Sequence, residues 1–151
     1  MPYLPSISGK HSTTSPGTRG YVWPQGSFPE PCSYNKLAKH LPNQDEVTAE
    51  LQTVLRVPTN ESSAHTQIDG LMKYLDQQIQ SGETTREELQ PNTTPFFISA
   101  FWHMQRPEEW PIMYSSARKA LHANGILDRQ VKGGDGYLKF ARLFSTLAKE
   151  N

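Results

Sequence analysis

The apolar positions between residues 43 and 82 recur every three or four residues, which is the period of an α-helix. Asn43 is a favourable N-cap for a first helix, and Pro58 ends it. The apolar stripe of this helix comprises Val47, Leu51, Val54 and Leu55. A second helix is predicted to begin between Asn60 and Ser63 and to end at Ser81-Gly82. Its stripe comprises Ile68, Leu71, Met72, Leu75 and Ile79.

The next segments predict a short helix and then a strongly apolar one. Thr84 and Thr85 each precede a glutamate by three residues, which is the spacing of a capping box, so a short helix is expected over 87–90. Thr94-Pro95 opens the following helix, since proline is favoured at the first helical position. This helix is apolar on nearly all sides, which is typical of the buried centre of a bundle. Its apolar residues are Phe96, Phe97, Ile98, Ala100, Phe101, Trp102 and Met104.

Two more helices are predicted toward the C-terminus. One stops at Gly125, and the other follows the loop Gly133-Gly134-Asp135-Gly136, with Asp135 as its N-cap. The inner face of the last helix is predicted to comprise Tyr137, Phe140, Ala141, Phe144, Leu147 and Ala148. No period-two alternation appears, so the fold class is expected to be all-α, a compact bundle of about five helices.

Four side chains are expected to be nearly buried in this bundle. They are Phe97, Phe101, Leu121 and Phe144. On this view Phe101→Ala costs about 3–5 kcal/mol, the usual range for deleting a core aromatic ring.

The N-terminal third differs in composition and divides the chain. The segment from Ser6 to Gly20 is mostly Ser, Thr, Gly and charged residues and has too few apolar side chains to bury, so residues 1–20 are expected to form a disordered arm. Residues 21–43 are expected to form an aromatic, proline-rich strap, and residues 44–151 the helical domain. Trp23 and Phe28 of the strap are interpreted either as docking on the helical body or as binding a partner.

Composition limits the class of protein. The chain of 151 residues is about one domain long, and its apolar fraction of 35% is low. It has no run approaching the ~20 apolar residues of a membrane span and no apolar N-terminal leader, so a cytoplasmic location is expected. Its single cysteine, Cys32, excludes an internal disulfide and is interpreted as a free thiol without a role.

The net charge of zero conceals an uneven distribution. Residues 44–109 carry a charge of −7, whereas residues 1–43 carry +3 and residues 110–151 carry +4. The C-terminal third is therefore a candidate phosphate-binding face. Its candidate nucleic-acid-binding residues are Arg118, Lys119, Arg129, Lys132 and Arg142. The alternatives are that the acidic and basic regions pair internally, or that the basic face meets an acidic protein.

Candidate catalytic or ligand-binding side chains are most concentrated in the turn that follows the apolar helix. His103 could act there as a general base, with Arg106, Glu108 and Glu109 as its charged partners. Alternatively, His103, Arg106 and Trp110 could contact a ligand. The structural interpretation is that His103 bonds the chain turning beneath it and that Arg106 lies at a helix C-terminus. We favour the structural interpretation and assign no catalytic residue.

Cofactor and metal sites are not expected. The five histidines form no evident metal-ligand pattern. The loop Gly133–Gly136 could cradle a phosphate before a helix, but it lacks the lysine and hydroxyl of a P-loop, so it is interpreted as a hinge or loop.

The stretch from Pro95 to Leu121, followed by Gly136-Tyr137-Leu138-Lys139-Phe140, resembles a known helical module. This module occurs in bacterial restriction and defence proteins, beside McrB-like AAA ATPases or nuclease domains. The matching positions are Phe97, Ser99, His103, Pro107, Glu108, Trp110, Pro111, Ile112, Ala120, Leu121, Tyr137, Leu138 and Phe140. They cover roughly a third of the chain, and most of them are expected core residues.

The same positions are distantly similar to the second half of helix-hairpin-helix DNA glycosylases. Glycosylase activity is not expected, because Tyr114-Ser115-Ser116 lacks the catalytic Asp of that family. In addition, Asn92-Thr93-Thr94 replaces its glycine-rich hairpin.

Two functional hypotheses follow. The first is a non-catalytic helical module of a restriction or defence system that binds DNA or a protein partner, beside an effector domain or subunit. The second is a small enzyme that uses a pocket around His103. The helix that runs up to Asn151 would also suit a piece of a longer protein.

Overall fold

The computed structural model of the chain describes residue 37 and residues 39–149, with side chains described up to residue 147. In this part of the chain all regular elements are helical and no strand occurs. The elements are α1 (Gln44–Val54), α2 (Glu61–Gln80), α3 (Arg86–Leu89), a 3₁₀ turn (Pro91–Thr93), α4 (Thr94–Gln105), α5 (Ser115–Ala123) and α6 (Gly133–Lys149). The predicted all-α fold, with five main helices and one short helix, is confirmed for these residues.

Polar side chains cap three helices where the sequence predicts that they begin. Asn43 accepts the backbone N–H of Glu46 at the start of α1. Asn60 caps α2 in a reciprocal capping box with the residue three positions on. Thr85 and Glu88 form the predicted capping box of α3. These bonds satisfy amide donors that have no partner within the helix, which is why these residues fix the helix starts.

The long helix α2 is the centre of the bundle. Its buried residues are Ala64, Ile68, Leu71 and Leu75, which lie on one face at spacings of four and three. The helices α1, α3, α4 and α6 and the 3₁₀ turn all pack against α2. A helix of 20 residues is about 30 Å long, and α2 is the longest helix in the described part of the chain.

Side chains of α2 and α4 cap the C-terminus of α1. The buried Trp102 donates its indole N–H to the carbonyl oxygen of Val54 at 3.0 Å. Gln105 donates to the carbonyl of Leu55 at 3.0 Å, and Gln67 donates to two further carbonyls nearby. The last carbonyls of a helix have no internal partner, so these bonds tie the end of α1 to two other helices.

The apolar helix α4 is not buried on all sides, contrary to prediction. Ile98 and Trp102 are fully buried. Phe97 and Phe101 are only half-buried and contact each other edge to face at 5.2 Å, and Met104 is 71% exposed. The reason is that α4 lies at the edge of the bundle, so that one face packs and the rest remains at the surface. Apolar composition alone therefore placed the wrong aromatics in the core.

The last helix also departs from prediction. Tyr137, Phe140 and Ala141 are buried as expected, but Phe144 and Leu147 are 51% and 52% exposed. The inner face of α6 therefore leaves the core in its last turns. The predicted burial of Leu121 on α5 is also wrong, since that side chain is half-buried.

The glycine-rich segment is the first turn of α6 rather than a loop or hinge. Gly134 donates its N–H to Asp69 Oδ1 at 2.8 Å. A Cβ atom on Gly133 would lie 2.5 Å from the same oxygen, and one on Gly134 would lie 2.9 Å from the Cα of His65. These glycines therefore let α6 start in close contact with α2. Asp135 lies in the first turn and is not the N-cap.

The segment before α1 contributes to the core. Residues 37, 39 and 40 are helical, and Leu37 and Leu41 are buried in the main apolar cluster. The arm at 1–20 and the aromatic residues Trp23 and Phe28 lie outside the described residues, as does Cys32. The division at residues 20 and 43 stays a prediction.

Candidate functional site

The turn after α4 is held together by internal contacts. His103 is half-buried, and its Nδ1 lies 3.0 Å from the carbonyl oxygen of Trp110. Trp110 is buried edge to face against Trp102, with ring centroids 5.7 Å apart. Arg106 is exposed at the C-cap of α4 and pairs with Glu109 at 3.2 Å. The predicted bond from His103 to the chain beneath it is thus confirmed, and it uses one of the two imidazole nitrogens.

Arg118, a candidate for nucleic-acid binding, is engaged inside the protein. Its Nη2 donates to the carbonyl of Val131 at 3.2 Å, and its Nε donates to His122 Nε2 at 3.1 Å. Its guanidinium carbon lies 5.9 Å from the ring centroid of Phe96, within the range of a cation–π contact. Partial burial lowers the pKa of Arg118. This side chain joins α5 to the segment before α6 rather than reaching into solvent.

The bond from Arg118 determines the tautomer of His122. The Nε of an arginine can only donate, so His122 Nε2 must accept and carries no proton. His122 Nδ1 therefore bears the proton and donates to the carbonyl of Leu127 at 2.7 Å. This neutral imidazole connects Arg118 to the loop after α5 and sets the path of that loop.

The other four basic candidates are exposed. Lys119 lies on α5, Arg129 and Lys132 lie in the segment between α5 and α6, and Arg142 lies on α6. Arg142 pairs with Glu61, with its Nε 3.0 Å from Oε1 and its Nη2 against Oε2. The hydrogen bond from Arg142 lowers the pKa of Glu61, and the same bond raises the pKa of Arg142. One part of the basic region thus pairs internally with an acidic residue.

An open groove lies between the loop after α5 and the outer face of α6. We call it the basic groove; it has a volume of about 780 Å³ and is lined by His122, Gly125, Ile126, Leu127, Asp128, Arg129, Lys139, Arg142 and Leu143. Arg129, Lys139 and Arg142 bring three positive charges to it. Its carboxylate, Asp128, accepts the backbone N–H of Gln130 at 2.8 Å. The groove therefore combines exposed cations with the apolar surface of Ile126, which is 54% exposed.

Lys139 is not among the residues that the sequence predicted to bind nucleic acid. It is three residues before Arg142 and four before Leu143, so these three residues share one face of α6. That spacing is visible in the sequence and identifies the outer face of the helix. What the sequence does not show is that the loop carrying Arg129 packs beside this face.

A second polar cluster, which was not predicted from the sequence, lies between α2 and α6. His65 Nε2 lies 3.3 Å from Asp69 Oδ2 and 3.3 Å from Asp135 Oδ1. His65 and Asp69 are four residues apart on α2, a spacing that marks neighbours on one helix face. Each carboxylate faces the imidazole nitrogen, so the cluster joins α2 to α6 by charge pairing when His65 is protonated. Among the residues that the structure describes, no group of three or more His, Cys, Asp or Glu could hold a metal ion.

Comparison with known proteins returned no matching family, no matching curated protein and no matching solved structure. The resemblance to a restriction or defence module therefore stays a hypothesis. Within the described ranges, none of the helices has the length and apolar character needed to cross a membrane.

Proposed function

We propose that the chain is a non-catalytic helical module that binds DNA through the basic groove. The observation that supports this proposal is the convergence of Arg129, Lys139 and Arg142 from two separate elements on one open surface. A phosphate backbone is bound by exposed cations that reach its oxygens, and such contacts supply most of non-specific affinity. The only carboxylate lining the groove, Asp128, is directed at its own loop.

The distribution of charge favours one direction of approach. The C-terminal third carries +4, and residues 44–109 carry −7. A polyanion is repelled by the acidic middle of the chain and attracted to the groove. The resemblance to restriction and defence modules supports the same assignment, and a cytoplasmic location belongs to this proposal.

The ion pair of Arg142 does not prevent phosphate binding. Both Arg142 and Glu61 are more than half exposed, and exposed ion pairs contribute little to stability because solvent screens them. A phosphate oxygen can therefore replace the Glu61 carboxylate at modest cost. Arg118 is left out of the binding set, because removing it would disturb the loop that forms the groove.

The alternative of a small enzyme around His103 has less support. One imidazole nitrogen is already bonded to the carbonyl of Trp110, and the tryptophan itself fills the space beneath the turn. A catalytic base needs a nitrogen within hydrogen-bond reach of a substrate. We therefore retain the binding module as the proposal.

The experiment is an anisotropy titration of short duplex and single-stranded DNA at about 50 and 200 mM salt. Three phosphate contacts predict a roughly 40-fold weaker affinity at the higher salt. The variant Arg129→Glu with Lys139→Glu is expected to lose binding. The matched control is Arg56→Glu with Lys73→Glu, which changes the net charge equally at exposed positions outside the groove lining. No binding at 50 mM salt, or equal losses in both double variants, would refute DNA binding.

A second candidate is an acidic protein partner, favoured by the apolar surface that Ile126 and Leu143 add to the groove. Protein interfaces have apolar centres, whereas phosphate contacts do not require them. Poly-glutamate can serve as the probe in the same titration. Binding of poly-glutamate without binding of DNA would favour this candidate, and Ile126→Ser would then weaken the binding of poly-glutamate.

A further inference from the structure

The inner face of α6 continues beyond the core. Tyr137, Phe140 and Ala141 are buried on this face, and Phe144 follows seven residues after Tyr137. Residues seven apart lie on the same side of a helix. Phe144 is nevertheless 51% exposed. Its exposure thus results from where the neighbouring helices end and not from the direction in which it points.

Two contacts show where α6 extends beyond the start of α2. Gly134 at the start of α6 bonds Asp69, whereas Arg142 bonds Glu61, the first residue of α2. The two helices are therefore antiparallel, and residues 143–149 extend about 10 Å past the start of α2, at 1.5 Å per residue. We call this extension, with Phe144 on its inner face, the apolar end of α6.

The ring of Phe144 is held in place on one side. It stacks on Phe140, with centroids 5.9 Å apart and an interplanar angle of 25°. Phe140 is itself 1% exposed, so it anchors the stack in the core. The apolar end of α6 thus offers a positioned aromatic ring to a further aromatic or apolar group.

We propose that the aromatic segment of this same chain, Tyr21 to Phe28, packs on the apolar end of α6. The segment carries Tyr21, Trp23 and Phe28 within eight residues. Packing these aromatic side chains against the exposed ring of Phe144 removes apolar surface of both from water, which is favourable.

The described chain enters the bundle at the opposite end of α2. His40, three residues after Leu37, lies 3.5 Å from Glu88 on α3. Arg86 of the same short helix pairs with Asp76, near the C-terminus of α2, at 2.6 Å. Leu37 therefore packs close to the end of α2 that is remote from the apolar end of α6.

The connecting chain is long enough to return. Fifteen residues of helix separate Asp76 from Glu61, which is about 22 Å. Nine residues separate Phe28 from Leu37 and span up to about 30 Å when extended. A tethered segment also has an effective concentration in the millimolar range. The chain's own segment is therefore favoured over a second copy as the occupant.

The test uses the full chain with a spin label at Ser27→Cys in a Cys32→Ser background, observed through backbone amide signals. Broadening of the amides of residues 142–149 is the expected result. It should be lost in Phe144→Asp and retained in Met104→Asp, a matched change at another exposed apolar residue on α4. A melting curve of each variant establishes that the bundle is still folded.

Two results would overturn the proposal. Absence of broadening in residues 142–149 means that the segment does not dock there. Broadening in a mixture of spin-labelled chain at natural isotope abundance and ¹⁵N-labelled chain without a spin label identifies a second copy as the occupant. Broadening that survives dilution with unlabelled protein supports docking within one chain.

Discussion

Replacing Trp102 tests whether it, rather than its sequence neighbour Phe101, is the central aromatic of the bundle. Trp102 is fully buried, packs edge to face on Trp110 and on Tyr137 at 5.7 and 5.6 Å, and donates to Val54. Truncating a buried tryptophan to alanine costs about 3–5 kcal/mol. We expect Trp102→Ala to reach the upper part of this range, because the carbonyl of Val54 also loses its donor.

Phe101→Ala provides the matched comparison one position earlier on α4. Its ring is half-buried, so roughly half of the 1.5–3 kcal/mol of a fully buried phenylalanine is lost, or about 1 kcal/mol. This is well below the 3–5 kcal/mol expected from the apolar pattern of α4 alone. The two variants should therefore differ by about 3 kcal/mol in free energy of unfolding.

The assay is denaturant unfolding followed by far-UV circular dichroism, because tryptophan fluorescence changes with the substitution itself. Trp102→Phe is the milder variant, in case Trp102→Ala does not fold. It keeps an aromatic ring but leaves the carbonyl of Val54 without its donor, at about 1–3 kcal/mol. A loss below 0.5 kcal/mol in Trp102→Phe, or equal losses in Trp102→Ala and Phe101→Ala, would refute the reasoning.

Three further predictions concern α2, α4 and α6. Gly134→Ala should destabilise by about 1–3 kcal/mol, because its Cβ would meet α2 backbone at 2.9 Å. Gly70→Ala, where a Cβ would contact nothing, should stabilise by about 0.5–1 kcal/mol. In thermal unfolding, a raised melting temperature for Gly134→Ala or a lowered one for Gly70→Ala would contradict the respective prediction. Ser99→Ala should cost about 1–3 kcal/mol in denaturant unfolding, because the buried hydroxyl accepts a backbone N–H at 3.0 Å. In an NMR titration, Arg142→Met should raise the lowered pKa of Glu61 toward its ordinary value, and an unchanged pKa would show that the pair does not persist in solution.

The direction of the pH effect follows from the lowered pKa of Glu61. A carboxyl with a lower pKa in the folded state stabilises the fold at pH above its unfolded pKa. This contribution is lost as the pH falls through the lowered folded value. The stability of Arg142→Met should therefore depend less on pH in the acidic range than that of the native chain.

The sequence by itself determined the helices and most of their starts. Asn43, Asn60 and Thr85 cap helices with bonds to residues three positions away, so the interaction is contained in a short segment. The apolar stripes of α1 and α2 are likewise local patterns, and six of their nine predicted residues are buried. The other three, Leu55, Met72 and Ile79, are partly buried, and the buried Ala64 was not predicted. The bond from His103 to the turn beneath it belongs to the same class, because seven residues connect its ends.

Only the tertiary structure decided which apolar residues are buried. Phe101 and Trp102 are equally apolar neighbours, and Phe144 continues the stripe of Phe140, yet one member of each pair is exposed or half-buried. Burial depends on where another helix lies and where that helix ends, and neither is encoded within a few residues.

Long-range packing also determines which of the basic side chains are exposed and which line the basic groove. Arg118 and Lys119 are adjacent basic residues, but contacts with Phe96 and Val131 engage the first and leave the second exposed. Lys139 enters the basic groove only because a loop distant in sequence packs beside it. Local sequence thus determined helix boundaries, whereas long-range packing determined the core and the groove, because those contacts join residues far apart in the chain.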